Sequence, residues 1–467
     1  MSIAEKKEGF KSLEEKVFGY VCKCGVEIIK EIIESYDEEI MERRDKKKYR
    51  SKGKRKRTIK TVMGEVEFER NVYETVTEEG EKIYEYLLDK ELGLSRSGFF
   101  SEFMSELIAK RCCESSYRNA AQSISEQTGQ TLSHTAAWNV VQTLGAEIDK
   151  QELHNAALAK EHKGTGVLES NVLFEEQDGI WLKLQGGARK KYGSSKEMKL
   201  AIAYDGATER AKGRYNLSNK VACANFEGVN EFVKRKEGVI ASTYNVDEIE
   251  SRILNGDGAE WIKKSIADED TYFQLDPFHR NKAICANVKD KRKRAVLFEL
   301  LKNGRTDDVF SCIEGYINCS EDEEEIKRLQ ELETYFSVNR MGLTAIRDRN
   351  LDLPDHRHLG CMESNIFSII GNRMKGRRAC WSIDGGNNLA RLLCLKMTGK
   401  LSERIGAIST VRLPEKYTKE QTVILSAAKV PLRVGKGYNG FVKGGVFPAT
   451  TDYEWLRNIG RAHVKVY

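Results

Sequence analysis

Between residues 161 and 288 short apolar runs end on turn residues and alternate with helical spacing. "NVLFEEQDGIWLKLQ" and "KEMKLAIAYDGA" read as strands, the second antiparallel to the first through a basic, Gly-rich loop at residues 186 to 197. "EGVIASTYN" and "SRILNGDGAEWI" follow as further strands, with helical segments between and after them. Such a succession buries a sheet under helices, so the expected class is α/β with a mixed sheet. Two of these runs carry an acid where burial is expected. Asp178 is bracketed by Leu173 and Phe174 on one side and by Ile180, Trp181 and Leu182 on the other, and Asp257 closes its own strand between two glycines. An ionised carboxylate in such a place is costly unless it is paired or holds a cation.

A third acid, Glu363 in "HLGCMESNIFSIIGNRMKGRRACW", opens a segment in which Ile366, Ile369 and Ile370 make a helical stripe. Three carboxylates on two strands and a following helix can converge on divalent cations. Mg²⁺ takes oxygen ligands and keeps several waters, so a few carboxylates are enough. Two such ions ~3.5 to 4 Å apart activate the attacking oxygen and stabilise the leaving oxygen of a phosphodiester displacement. The nucleophile is water for strand cleavage or a DNA 3′-hydroxyl for strand joining. Spacing alone does not select this triad among 71 acids, and Asp205 in "AIAYDGA" competes for the first place.

Charge is unevenly placed. The global balance is only +6, but residues 43 to 60, "RRDKKKYRSKGKRKRTIK", hold twelve basic residues and the single acid Asp45. Such a run, with Lys54, Arg55, Lys56 and Arg57 at its centre, is either a solvated linker or a strip that lies along phosphates. After Gly64, Val66 and Phe68 alternate with Glu65, Glu67 and Glu69, so a small β-hairpin follows the run. Before it, Leu13, Val17, Val21, Cys24, Ile28 and Ile32 draw one stripe along a helix, which packs on its own domain or self-associates.

Residues 115 to 145 carry a helix-turn-helix pattern. Tyr117, Ala120, Ala121 and Ile124 form one stripe, Gly129 breaks it, and Ala137, Val140, Val141 and Leu144 repeat it after a Ser133 cap. Thr135, Asn139 and Gln142 fall on the opposite face of the second helix, placed to reach base edges. An ordinary helical hairpin shows the same pattern; the basic run upstream favours DNA. From about Lys289 to Ile346 the text is rich in Lys, Glu and Leu, with a capping box at Ser320 and Glu323 and a stripe of Ile326, Leu329 and Leu332, the mark of an all-helical insertion. Beyond Lys400 a Gly-rich, basic segment with Pro414, Pro431 and Pro448 offers no interpretable motif.

The eleven cysteines include no CxxC pair, which leaves a structural zinc site without support and suits a reducing compartment. Charges occupy the N-terminus where a signal peptide needs an apolar core, and no run approaches the ~20 apolar residues of a membrane span. The expected setting is the cytoplasm, associated with the nucleoid and not with a membrane.

Four motifs, "EEQDGIWLKLQG", "NGDGAEWI", "FQLDPFHRNKAI" and "GCMESNIFSIIGNRMKGRRACWS", stand in the order found in bacterial insertion-sequence transposases of the ISLre type, a DDE group similar to the Mutator-like superfamily, and the likeness runs over most of the chain. The resemblance implies an RNase H-like catalytic domain at 161–288 and 347–400 around a helical insertion at 289–346. Ahead of it come an amphipathic helix at 1–42, the basic segment and hairpin at 43–90 and the helix-turn-helix region at 91–160; 401–467 has no assigned role. It places Asp178, Asp257 and Glu363 at the catalytic positions, Asp178 touching both of two Mg²⁺ or Mn²⁺ ions and the other two one each. "DPFH" matches the acid-x-x-His motif that follows the second acid, with Asp276 and His279 in a structural or DNA-positioning role ahead of a catalytic one. Trp381 either stacks on an unpaired base or packs in the core. Lys190, Lys191, Arg377 and Arg378 are candidates to neutralise phosphates. The implied partners are the element's terminal inverted repeats, target DNA and further copies of the chain. Two rivals stay open: an RNase H-like nuclease that only hydrolyses, and a helix-turn-helix regulator with no catalytic activity.

Overall fold

The computed structural model describes residues 9–94, 100–212, 214–266, 270–349, 351, 353, 359–376, 378–408, 414–419, 423, 424 and 427. They fall into two bodies. The first comprises the chain to Met104 with Thr128–Gln130 and the residues from Thr410; the second comprises Ser105–Gln127 and Thr131–Ser409.

In the first body, helix α1 (Phe10–Arg43) precedes strands β1 (Arg50–Lys60), β2 (Glu65–Val76) and β3 (Lys82–Glu85) and the short helix α2 (Leu87–Glu91). The strands make one antiparallel sheet in the order β1-β2-β3. Val66 and Phe68 are buried while Glu65, Glu67 and Glu69 face out, as their alternation requires. The larger part of the basic run, Arg50–Lys60, does not precede the hairpin but forms its first strand. Opposite charges on the paired strand make this possible: Lys52 meets Glu74 at 2.9 Å, Lys56 meets Glu67 at 2.8 Å and Lys60 meets Glu65 at 2.9 Å. The expected stripe on α1 is also displaced. Its buried residues are Ile33, Tyr36, Asp37 and Ile40, whereas Val17 and Val21 are exposed, because the apolar cluster with Ile59, Val66 and Phe68 gathers the last turns of the helix.

In the second body, α3 (Glu102–Glu114), α4 (Tyr117–Thr128) and α5 (His134–Lys160) lead to β4 (Val172–Lys183), α6 (Gly186–Tyr192) and β5 (Ser195–Tyr204). A hairpin of β6 (Gly206–Ala211) and β7 (Arg214–Ser218) precedes β8 (Val221–Asn225), α7 (Val229–Ala241), β9 (Ser251–Gly256), α8 (Glu260–Lys263) and β10 (Thr271–Leu275). Then come α9 (Pro277–Asn287), α10 (Lys291–Lys302), α11 (Thr306–Asn318), α12 (Glu323–Val338) and α13 (Arg340–Leu343). Finally α14 (Met362–Ile366) runs through a π-helical turn at Phe367–Gly371 into α15 (Asn372–Met374), followed by α16 (Ile383–Met397) and α17 (Leu401–Ile408).

The sheet has five strands in the order β10-β9-β4-β5-β8. β4 pairs antiparallel with β5, and β5 with β8, while β9 and β10 run parallel to β4. This is the mixed α/β class expected. Two segments depart from expectation. "EGVIASTYN" begins as the last turns of α7, not a strand, because Phe232, Lys236 and Ile240 repeat at helical spacing and are buried; the strand before β9 is the five-residue β8, "VACAN". The loop expected at 186–197 contains the helix α6.

The insertion is all-helical. Leu297, Leu301, Val309, Ile313, Leu329, Leu332 and Phe336 build a core continuous with Leu254 and Leu275 of the sheet. Its capping box is corrected: Asp322 caps α12 by accepting from the Glu324 amide at 3.0 Å, and Ser320, two residues too early, donates to Glu325 instead.

Ser133 does cap α5, accepting from the Ala136 amide at 3.1 Å, and Ala137, Val140, Val141 and Leu144 are buried. The helix continues to Lys160 and is held against α7 and α16 at two glycines. A Cβ on Gly145 would come within 2.6 Å of the Asn388 Cα, and one on Gly238 within 2.1 Å of the Glu152 carbonyl oxygen. Both neighbours are main-chain atoms and cannot swing aside. Gly145→Ala is therefore expected to force α5 and α16 apart and cost about 1–3 kcal/mol, read as a lowered urea midpoint.

Candidate metal centre

The strand register brings the acids together. Gln177 on β4 pairs with Gly256 on β9, and Gly256 with Leu275 on β10. The next residue along each strand is Asp178, Asp257 and Asp276, so three acids from distant stretches stand in one row, just past the carboxyl ends of β9 and β10 and beside the middle of β4, which runs on to Lys183. Ligands of open α/β sheets bind outside such strand ends. Asp205 follows Tyr204, which pairs with Phe174 at the other end of β4, so it stands apart from this row.

Each acid is fixed differently. Asp178 accepts from the Gly179 amide at 2.7 Å. Asp257 accepts from the Ala259 amide at 2.8 Å, a turn that Gly258 permits with its φ of +86°, and the Asp257 carbonyl takes a hydrogen bond from the Tyr335 hydroxyl of the insertion at 2.8 Å. Asp276 is buried and caps α9, accepting from the His279 amide at 3.2 Å and lying 3.0 Å from the ring Nδ1 of His279. That ring reaches back toward the first acid, with Nε2 at 4.0 Å from Asp178 Oδ2. Ligand atoms of Asp178, Asp257 and His279 lie within 4.8 Å of one another.

Electrostatics mark the same residues. Burial pushes the Asp178 carboxyl up to about 6; the Gly179 amide and His279 oppose this, while Asp257 and Glu363 add to it. His279 is raised above the usual imidazole range, first by its bond to Asp276. For Asp276 burial acts upward, but the bonds from His279 and Asn255 outweigh it and hold the carboxyl low. Carboxylates crowded into a partly desolvated pocket with one imidazole form a donor set that fits a divalent cation.

Glu363 stands on α14, exposed, and it acts on Asp178 through its charge. It is not among the three residues whose ligand atoms cluster. The loop just before it is anchored by a residue that the spacing of acids leaves unmarked. Glu176, fully buried on β4, accepts from the amides of Gly360 and Cys361 at 3.0 and 2.9 Å, from the Tyr204 hydroxyl at 2.8 Å and from Asn255 Nδ2 at 3.1 Å, and it meets Cys361 Sγ at 2.9 Å. Asn255 bonds Asp276 at 3.0 Å with the same amide group. A buried polar chain thus links the loop before Glu363 to His279. The available signal is period two: Glu176 precedes Asp178 by two residues and shares its face of the strand.

The other predicted residues are dispersed. Trp381 is buried, donates from Nε1 to the Met374 carbonyl at 2.9 Å and lies under Arg373, so it packs in the core and does not offer a face to a base. Thr135 and Asn139 are exposed on α5, but Gln142 accepts from Asn388 Nδ2 of α16 at 2.8 Å and is turned into the fold. Lys190 and Lys191 are exposed on α6, and Arg378 is exposed with a φ of +57°; Arg377 lies outside the described residues. In the first body Lys54 is 3.4 Å from Glu38, Lys56 is paired with Glu67 and Arg57 meets Asp89 at 2.6 Å, while Arg55 is exposed. The basic strand is thus largely matched by acids. Among the described residues no helix is long and apolar enough to cross a membrane, and all eleven cysteines are free.

Comparison with known proteins gives a consistent likeness. The family described as "Uncharacterised protein family (UPF0236)" matches residues 4–408. A UPF0236 protein of Caldanaerobacter subterraneus subsp. tengcongensis, whose name joins eleven locus labels, is 26% identical over 99% of this chain and 93% of its own length. A second protein of that organism is 26% identical over 85% of this chain and 79% of its own. A protein of Streptococcus gallolyticus, named for the vanSb 3′ region, is 23% identical over 73% of each chain.

Proposed function

The chain belongs to the UPF0236 family, and from its acid row we propose that it is a DDE transposase of the ISLre type, which binds the ends of an insertion sequence and carries out metal-dependent strand cleavage and strand transfer. The observation that carries this reading is the meeting of Asp178 and Asp257 where the pairing of the parallel strands β4 and β9 ends, with the charge of Glu363 acting on the first. A sheet of three antiparallel strands followed by two parallel ones supports the RNase H-like fold that the resemblance implies. The name of the relative with eleven locus labels adds weight, since a gene repeated through one genome is what a self-copying element leaves behind.

Divalent ions, Mg²⁺ or Mn²⁺ and two per site, supply an activated oxygen nucleophile and a stabilised leaving oxygen when bound. Asp178 and Asp257 hold them, and Glu363 completes the set from α14. Tyr335 fixes the Asp257 main chain, so the insertion tunes the site from outside the sheet. Lys190 and Lys191 on α6, with Arg378, neutralise DNA phosphates; Thr135, Asn139 and Arg55 contribute exposed contacts. Copies of the chain assemble on the terminal inverted repeats and then engage target DNA.

The test is a strand-transfer assay with element-end DNA and either metal. Joined product is the expected result. Cleavage without joining would instead identify a hydrolytic nuclease, and binding that ignores metal and leaves the DNA whole would identify a regulator.

A further inference from the structure

The three donors that cluster at the acid row are two carboxylates and an imidazole. We infer that His279 is itself a metal ligand, so that Asp178, Asp257 and His279 share one ion in mixed oxygen and nitrogen ligation, with Asp276 as the positioning residue behind the ring. The inference rests on the metal-dependent reading above and adds to it the identity of a ligand and a preference among metals.

Geometry supports it from both ends of the ring. Ligands at ~2.0–2.2 Å from a common ion stand no more than about 4.4 Å apart; His279 Nε2 meets this with Asp178 Oδ2 at 4.0 Å, and all three donors, Asp257 included, lie within 4.8 Å, so a small side-chain shift closes the set. A ligating histidine almost always gives its other ring N–H to a carboxylate, a backbone carbonyl or a water, which fixes the tautomer and aims the free lone pair. Here that carboxylate is Asp276, 3.0 Å from Nδ1, with 6% of its side chain exposed and held in turn by Asn255. A helix cap does not require this ring. The cap bond to Asp276 comes from the His279 main-chain amide, so the cap does not use the ring, whose Nδ1 meets Asp276 and whose Nε2 is turned toward Asp178.

Mg²⁺ takes oxygen donors, whereas imidazole suits transition ions. A nitrogen in the set therefore favours Mn²⁺ over Mg²⁺ at this position. Glu363, outside the cluster, is left for a second ion shared through Asp178.

The experiment is a MnCl₂ titration of the full chain without DNA, with bound Mn²⁺ counted by electron paramagnetic resonance. Pulsed resonance of the bound ion then reads directly coordinated nitrogen, in protein grown with and without isotopically labelled histidine. The expected result is a nitrogen coupling that changes with the label, disappears in His279→Gln and is accompanied there by about 10–100-fold weaker binding. Asp276→Asn keeps a capping residue type at the start of α9 and should retain the coupling at about tenfold lower affinity. It serves if His279→Gln fails to fold. Bound Mn²⁺ with no nitrogen coupling, or a coupling that survives in His279→Gln, overturns the inference and leaves the carboxylate site intact. Absence of Mn²⁺ binding at millimolar concentration overturns the metal-dependent reading and this inference together.

Discussion

Asp178→Asn is expected to reduce metal-dependent strand transfer about a hundredfold or more while leaving the metal-free protein at least as stable as the wild type. The two effects have one cause. Asp178 is partly buried beside Asp257 and within the field of Glu363, and burial with these like charges pushes its carboxyl up to about 6. Without a cation the ionised form is therefore a burden on the fold, and an amide of the same shape removes it. A folded-state value raised above the unfolded one contributes stability that is fully present below about 4, the unfolded value, and is lost as pH rises through about 6. In EDTA at neutral pH, Asp178→Asn should accordingly gain up to about 3 kcal/mol, and the gain should vanish as pH falls below about 4. Urea denaturation with EDTA across that range measures it. An acid that only braces the fold behaves in the opposite way: its amide loses stability, and activity falls only in proportion. Asp257→Asn and Glu363→Gln should match Asp178→Asn in lost strand transfer. A variant that keeps joining DNA would remove that acid from the site.

Two members of the acid row are marked by local pattern, since Asp178 interrupts a buried strand and Asp257 stands between glycines at a strand end. Asp276 enters the sequence reading only through the resemblance, and Glu363, the third acid of that reading, stands on α14 outside the row. What the sequence withholds is pairing. Which strands lie beside β4 depends on contacts between residues such as Gln177 and Gly256, nearly eighty positions apart, and no local rule reports them. Short elements suffer for a related reason. "VACAN" is five small or apolar residues without an alternation to read, while the apolar end of α7 imitates a strand until Phe232 and Lys236 are counted with it. The basic run misleads by composition, since twelve positive charges look like a solvated strip unless the acids of β2 are known to lie opposite. Trp381 and Gln142 show the same limit in single residues. Their types suit base contact, and only the packing of Met374 and Asn388 shows that each is already engaged.

Glu176 carries the second large effect. The stretch "FEEQD" sets four polar residues in succession, the first three of them buried, within one strand, which makes sense only if both faces of the sheet hold polar networks. On one face Glu175 meets Lys236 at 2.5 Å and Arg252 at 3.1 Å. On the other, Glu176 has no basic partner among the described residues; its described neighbours are uncharged donors, two of them amides of the loop just before Glu363. Acceptor oxygens alone suit this position, because an amide would turn an N–H₂ toward groups that also donate. Glu176→Gln should therefore cost about 3 kcal/mol or more, through buried donors left unmatched, and should release the loop from β4. The loop can be followed at Cys361, whose buried thiol contacts Glu176. Maleimide labelling of Cys361 should be slow in the wild type and at least tenfold faster in Glu176→Gln, in step with a local opening about 1.4 kcal/mol easier. Strand transfer should fall with it, while Mn²⁺ still binds at Asp178, Asp257 and His279 but more weakly, because those three reach the row from β4, the end of β9 and α9, and only Asp276 behind the His279 ring is tied to Glu176, through Asn255. Unchanged labelling of Cys361 in a folded Glu176→Gln protein would show that Glu363 is positioned by something other than this buried carboxylate.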